Sequence, residues 1–160
     1  MEYLFKWPGE WGVHQTLGVM RDIVNESFWH PLIREKAAQV VAVCKNNGDC
    51  EELTILGYVN SVMRYLKDPY KVEGLHHPVT WVERRLRTGQ TVYGDCDDMS
   101  MYIASLLKAV GHSPKFKAIS RTGLQYHHVL VVCESGRELD ATLGFGLTKG
   151  SAMKSIQMDI

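Results

Sequence analysis

The run GDCDDMSMYIASLLKAVG, from Gly94 to Gly111, constrains the fold more than any other segment. It reads as a capped helix followed at once by three strand-like stretches. Asp95 is a good N-cap, Asp98 stands where a weaker capping-box acid would, and Gly111 is the usual residue just past a helix end. Over residues 96–110, Cys96, Met99, Ile103, Leu106, Leu107 and Val110 share one helix face. The strands predicted next are Lys115–Ser120, Gln125–Cys133 and Arg137–Leu143, with Ser135-Gly136 as a tight hairpin turn between the last two. The apolar helix face must therefore pack on an antiparallel sheet, and the Cys96 sulfur must point toward it.

Upstream the period is helical. Pro31 suits a first helical position, and Leu32, Ile33, Ala37, Val40, Val41 and Cys44 recur near helical spacing. Asn47-Gly48 ends that helix and Asp49 caps the next. This one carries Leu53, Leu56, Val59, Val62, Met63 and Leu66 on a broad apolar face and stops before Pro69. A shorter helix follows Pro78 and closes at Gly89. Residues 1–30, rich in aromatics and broken by Pro8, Gly9 and Gly12, are predicted to wrap onto the body, with a short helix after Thr16. Helices first and an antiparallel sheet second is an α+β pattern. No repeat or linker divides the 160 residues, so one domain is expected over 1–160, with its core at 94–143 and a weakly patterned tail at 144–160.

Lysine plus arginine and aspartate plus glutamate both total 18. A formal net charge of zero argues against a broad footprint for nucleic acid or an anionic membrane. It also leaves little repulsion between copies, which suits self-association. No stretch approaches the roughly 20 apolar residues of a membrane helix. The start, MEYLFKWPGEWG, does not read as a secretory signal, so a cytoplasmic setting is expected. Cys44 and Cys50 could close a short loop, but in that setting thiols are reduced, and Cys44 and Cys133 read as small buried hydrophobes.

A thiol at a helix N-terminus feels the positive end of the dipole, which favours the thiolate. Asp95, Asp97 and Asp98 act the other way, so activation of Cys96 requires a nearby imidazolium. The strand Tyr126–Cys133 offers two histidines. His128, Leu130 and Val132 share one face, and His127, Val129 and Val131 the other. The hairpin brings Asp140 back toward the start of this strand. Cross-strand neighbours lie within about 5.5 Å, so a carboxylate there can hold an imidazole in one tautomer. Nucleophile, base and orienting acid are the parts of covalent catalysis. A buried thiol opening an ordinary helix and a satisfied core histidine are the plainer readings of the same residues.

Gly94-Asp95-Cys96-Asp97-Asp98, with the Leu106-Leu107-x-x-x-Gly111 ending of its helix, resembles the cysteine motif of the transglutaminase-like superfamily. His128-Val129-Leu130-Val131 resembles its histidine strand and Leu139-Asp140-Ala141-Thr142 its aspartate motif, in the family's chain order. Thr16-Leu17 with Met20, Ile33-Arg34 with Ala37, and Arg64-Tyr65-Leu66-Lys67-Asp68-Pro69 resemble compact members found in bacteriophage genomes. The aromatic that often follows the family histidine is replaced by Val129-Leu130, and the doubled histidine leaves His127 as an alternative to the favoured His128. The resemblance implies a papain-like fold with Cys96, His128 and Asp140 as catalytic triad. Gln90, six positions before Cys96, stands at the spacing of the oxyanion glutamine of papain-like proteases. Tyr93 or Trp81 could serve instead, and a solvated loop residue is the plain reading of Gln90. The backbone N–H of Cys96 is the more dependable donor.

His76-His77, His127-His128 and the cysteines lack the spacing of zinc motifs, and Asp95, Asp97, Asp98 and Glu83 form no EF-hand-like loop. Neither a metal nor another cofactor is expected. The chemistry implied is acyl transfer from a protein or peptide carboxamide through a thioester. Water would resolve it in a protease or amidase, an amine in a crosslinking enzyme, and hydrolysis is favoured. The competing reading is a non-enzymatic virion or assembly component of a phage, in the host cytoplasm or the particle, docking on phage structural proteins. The aromatic N-terminus and the apolar residues Met153, Ile156, Met158 and Ile160 of the tail suit that role.

Overall fold

The computed structural model describes residues 2–4, 9–68, 74–145 and 152–160. The order is β1 (Glu2–Leu4), α1 (Gly9–Ser27), α2 (Pro31–Val41), a 3-10 turn (Ala42–Cys44), α3 (Gly48–Val62), β2 (Met63–Tyr65), β3 (Gly74–His76) and α4 (Pro78–Thr88). It continues with β4 (Val92–Gly94), α5 (Cys96–Ala109), β5 (Lys115–Ser120), β6 (His128–Val132), β7 (Glu138–Leu139), a second 3-10 turn (Ala141–Phe145) and β8 (Lys154–Asp159). The fold is α+β. Among the described residues no helix is long and apolar enough to cross a membrane.

The helix at the centre is α5. It is enclosed far beyond one face, since every residue from Asp97 to Leu107 is buried. Helices α1, α2 and α3 and strand β6 pack against it. A helix buried all round needs partners for its polar side chains. Ser105 Oγ donates to Met101 C=O and meets Ser27 Oγ at 2.7 Å, while Tyr102 and Tyr58 hydroxyls lie 3.3 Å apart. From α1 come Leu17, Met20, Ile23 and Val24, all inward at helical spacing. Helices α2 and α4 both start on a His-Pro pair, where the ring Nδ1 of His30 or His77 accepts the N–H two residues on.

The main sheet has the order β7-β6-β5-β8, all antiparallel. Strand β5 has the predicted bounds. Gly136, at φ 83°, turns the hairpin, with its N–H bonded to Cys133 C=O. The third predicted strand pairs over Glu138–Leu139 only, because the chain turns 3-10 at Ala141. The weakly patterned tail supplies β8, whose Ile156 and Met158 pack with Ile160 against the core, while Met153 is exposed.

Other expectations need correcting. Helix α1 starts at Gly9 rather than after Thr16. Asn47, not Asp49, caps α3, its side chain accepting Cys50 N–H. Helix α3 stops at Val62, since Met63–Tyr65 pairs in parallel with Val92–Gly94; Leu66, beyond that pairing, is exposed, and so is Leu53 within the helix. Cys44 and Cys50 are joined in a disulfide, their Cα atoms 5.4 Å apart. The local cause is backbone. Lys45 and Asn46, at φ 50° and 64°, reverse the chain so that the first turn of α3 faces the 3-10 turn.

Candidate active site

Asp95 is the N-cap of α5, its Oδ1 accepting the N–H groups of Asp97 and Asp98. Cys96 is the first helical residue and is half-buried. Its sulfur is met from the sheet by backbone. The N–H of Val129 donates to Sγ, and Ser100 Oγ, one turn along α5, donates to Val129 C=O at 3.2 Å. This contact exists because β7 is short. Cys133 N–H donates to Arg137 C=O and Val131 pairs with Leu139, so alternate residues of β6 face β7. Val129 is next in that series, where β7 has already turned away. The head of α5 fills the gap.

His128 opens β6 and is buried. Its Nε2 lies 2.7 Å from Asp140 Oδ2. The other carboxylate oxygen of Asp140 accepts both Thr142 N–H at 3.0 Å and Thr142 Oγ–H at 2.6 Å, and Thr142 Oγ also stands 3.4 Å from His128 Nε2. Burial alone would raise the Asp140 pKa, but the bonds from His128 and Thr142 prevail and hold the carboxyl below its ordinary range. With Nε2 engaged by an ionised Asp140, Nδ1 is the nitrogen left to exchange a proton. His127 is exposed, its Nδ1 3.2 Å from Gln125 C=O, while Asp140 pairs with His128.

The third member stops one peptide short. Among the described residues no hydrogen bond joins Cys96 Sγ to the imidazole; the thiol points at Asp97 Oδ1, 3.5 Å away. Burial pushes the Cys96 thiol well above the ordinary thiol range. Asp97 and Asp95 push it further, and the Val129 N–H opposes them. The sulfur therefore rests protonated. Burial is the largest cause, and Asp97 and Asp95 add to it in the direction that the sequence suggests.

Asp98 faces the other way. Its Oδ1 accepts His76 N–H and its Oδ2 lies 3.0 Å from His76 Nδ1, which ties β3 to α5. Gln90 is exposed in the turn after α4, in a shallow cleft with Thr80, Glu83, Arg84, Arg87 and Thr88 that does not include Cys96. Trp81 is buried against the rings of Tyr102 and His76, and Tyr93 is exposed. The ligating atoms of Asp95, Cys96 and Asp97 lie within 4.8 Å of one another, with Asp95 Oδ1 already engaged as the helix cap.

The bonds of Thr142 to Asp140 and the Val129 peptide at the sulfur are the contacts that sequence reasoning leaves out. The Thr142 role has a signal, since Asp-x-Thr is the spacing at which an aspartate accepts from the backbone two residues on.

No protein-family model and no curated protein matches this chain. Among solved structures, one from Parabacteroides distasonis ATCC 8503, named a putative protease, is similar with a TM-score of 0.54 at 14% identity. The match covers 77% of this chain but 25% of the other, so this chain spans about a quarter of that protein's length. Similarity at that identity is one of fold.

Proposed function

We propose that this chain is a transglutaminase-like cysteine acyl-transfer domain, a protease or amidase acting on a protein or peptide carboxamide. Cys96 is the nucleophile, His128 the base and Asp140 its orienter. The observation that carries the reading is the His128–Asp140 pair, 2.7 Å apart and braced by Thr142, one peptide from the sulfur at the head of a buried helix. Fold similarity to a protein named for proteolysis is compatible with it.

Because the sulfur rests as a thiol, His128 acts as general base during attack and not through a standing ion pair. Nδ1 takes the sulfur's proton as sulfur bonds to the carbonyl carbon. The same proton passes to the leaving amine, and a thioester remains on Cys96. Water, deprotonated by His128, then releases the acid. Asp140 keeps Nε2–H in place and stabilises the charged ring at each step.

The test is the pH dependence of iodoacetamide alkylation at Cys96, followed by mass spectrometry in wild type and His128→Ala. The variant is expected to lose on the order of 10²–10⁴-fold in rate at neutral pH. A rate indifferent to His128 would instead favour the non-enzymatic reading, a phage virion or assembly component with an idle site. One observation favours that alternative, namely that the thiol partners Asp97 instead of the imidazole.

A further inference from the structure

We propose that Tyr65 is the oxyanion donor of this site, its phenol O–H bonding the carbonyl oxygen while Cys96 attacks. The inference rests on the acyl-transfer reading above. Strand β2 runs parallel to β4 with Tyr65 opposite Gly94, and Leu66 N–H donates to Gly94 C=O at 2.9 Å. The Tyr65 backbone is thus fixed beside the residue two before the nucleophile. Alternation decides where the ring goes. Tyr65 shares its side with Met63 and Val92, both fully buried, while Arg64 and Tyr93 share the exposed side. The ring packs half-buried against the same core as Cys96. Among the described residues its hydroxyl has no hydrogen-bond partner.

The local charge supports the assignment. The phenol is pushed up to about 12, first by burial and then by Cys96, Asp95, Asp97 and Asp68, so these site groups are the charges it feels. It stays protonated wherever the site could work, and is always a donor. The Cys96 N–H is one neutral donor, and a side-chain donor beside it is the part still to be assigned. Asp95 and Asp97 repel an oxyanion as they repel a thiolate, Gln90 lines a cleft that does not include Cys96, Trp81 is buried among other rings and Tyr93 is turned to the exposed side. In the step concerned, the S–C bond forms, the carbonyl π electrons move onto oxygen, and the sulfur's proton goes to His128. Tyr65 keeps its own proton and only lengthens or shortens a hydrogen bond.

Two probes of the full chain separate this role from the nucleophile itself. p-Nitrophenyl acetate acylates through a tetrahedral oxyanion, whereas iodoacetamide alkylates at a saturated carbon without one. Tyr65→Phe is expected to slow Cys96 acylation on the order of 10²-fold, with alkylation of Cys96 unchanged. Unchanged alkylation also shows that the variant is folded. Wild-type acylation rates in Tyr65→Phe would overturn the assignment, as would equal slowing of both reactions, which would place the phenol's effect on the sulfur. Failure of wild-type Cys96 to be acylated at all would instead sink the nucleophile reading, and this proposal with it.

Discussion

The His128–Asp140 and His76–Asp98 pairs use the same two residue types beside the same helix turn, yet they are built differently. His128 and Asp140 side chains are 6% and 9% exposed and meet at 2.7 Å through Nε2; His76 and Asp98 are 32% and 0% exposed and meet at 3.0 Å through Nδ1. The difference lies in the rest of each carboxylate. Asp98 gives its second oxygen to the backbone of the same histidine, so both contacts serve to hold one strand end. Asp140 has its second oxygen held by Thr142, so it stays oriented whatever the ring does. Burial raises the Asp98 pKa despite His76, while Asp140 is held low. A histidine–aspartate contact is thus no signature of catalysis. An independently fixed, ionised carboxylate beside a protonatable ring is the informative arrangement.

Matched substitutions test that contrast where it is largest. Asp140→Asn keeps the shape but removes the charge that stabilises the imidazolium, and is expected to slow Cys96 acylation by on the order of 10²–10⁴-fold. Asp98→Asn is expected to leave that rate within about tenfold, since an amide still serves as a tether to His76. p-Nitrophenyl acetate turnover of the two variants decides it. Equal losses would bring His76 into the reaction, and no loss in Asp140→Asn would remove Asp140 from it.

The legibility of these regions from sequence differs for physical reasons. Helix α5, its Asp95 cap, strand β5 and the Gly136 turn follow from local signals in cap chemistry, alternation and turn residues. Cys96, His128 and Asp140 could be singled out because each sits at a marked place in such an element. Strands β2, β3 and β4 are three residues each, too short to show a period. Met63 and Leu66 continue the apolar spacing of α3, and only their non-local pairing with Val92–Gly94 reveals that the helix has ended. The placement of Tyr65 beside Gly94 and the tie of His76 to Asp98 depend on those strands, and no local signal shows either. Likewise the Cys44–Cys50 bridge depends on two left-handed residues, Lys45 and Asn46, that are not glycine.

Packing gives a mid-sized test of the His76–Asp98 side. A Cβ added at Gly94 would lie 2.7 Å from Asp98 Cβ, 2.8 Å from its Oδ2 and 3.0 Å from Met63 Cε. These neighbours are buried and cannot yield freely, so Gly94→Ala is expected to cost about 1–3 kcal/mol in chemical denaturation. Gly18→Ala in α1 is the control. Nothing lies within 4 Å of its added Cβ, and removing a mid-helix glycine should stabilise by about 0.5–1 kcal/mol. A silent Gly94→Ala would mean that Asp98 is not the wedge that holds β4 against α5.

The smallest effect is a pair of slopes of opposite sign. A free aspartate titrates near pH 3.9. Asp140 titrates lower in the folded state, so the unfolded chain binds its proton first as pH falls, and the stability Asp140 contributes above about pH 3.9 is lost through its folded pKa. Asp98 titrates higher when folded, so the folded chain holds its proton longer, and stability falls as pH rises from about 3.9 through that pKa. Urea midpoints across this range, wild type against each Asn variant, should therefore diverge in opposite directions. Asp140→Asn should lose its disadvantage toward acid, and Asp98→Asn should gain on wild type toward neutrality. Slopes of one sign would mean that burial governs both carboxylates alike, and Thr142 would then not be what sets Asp140 apart.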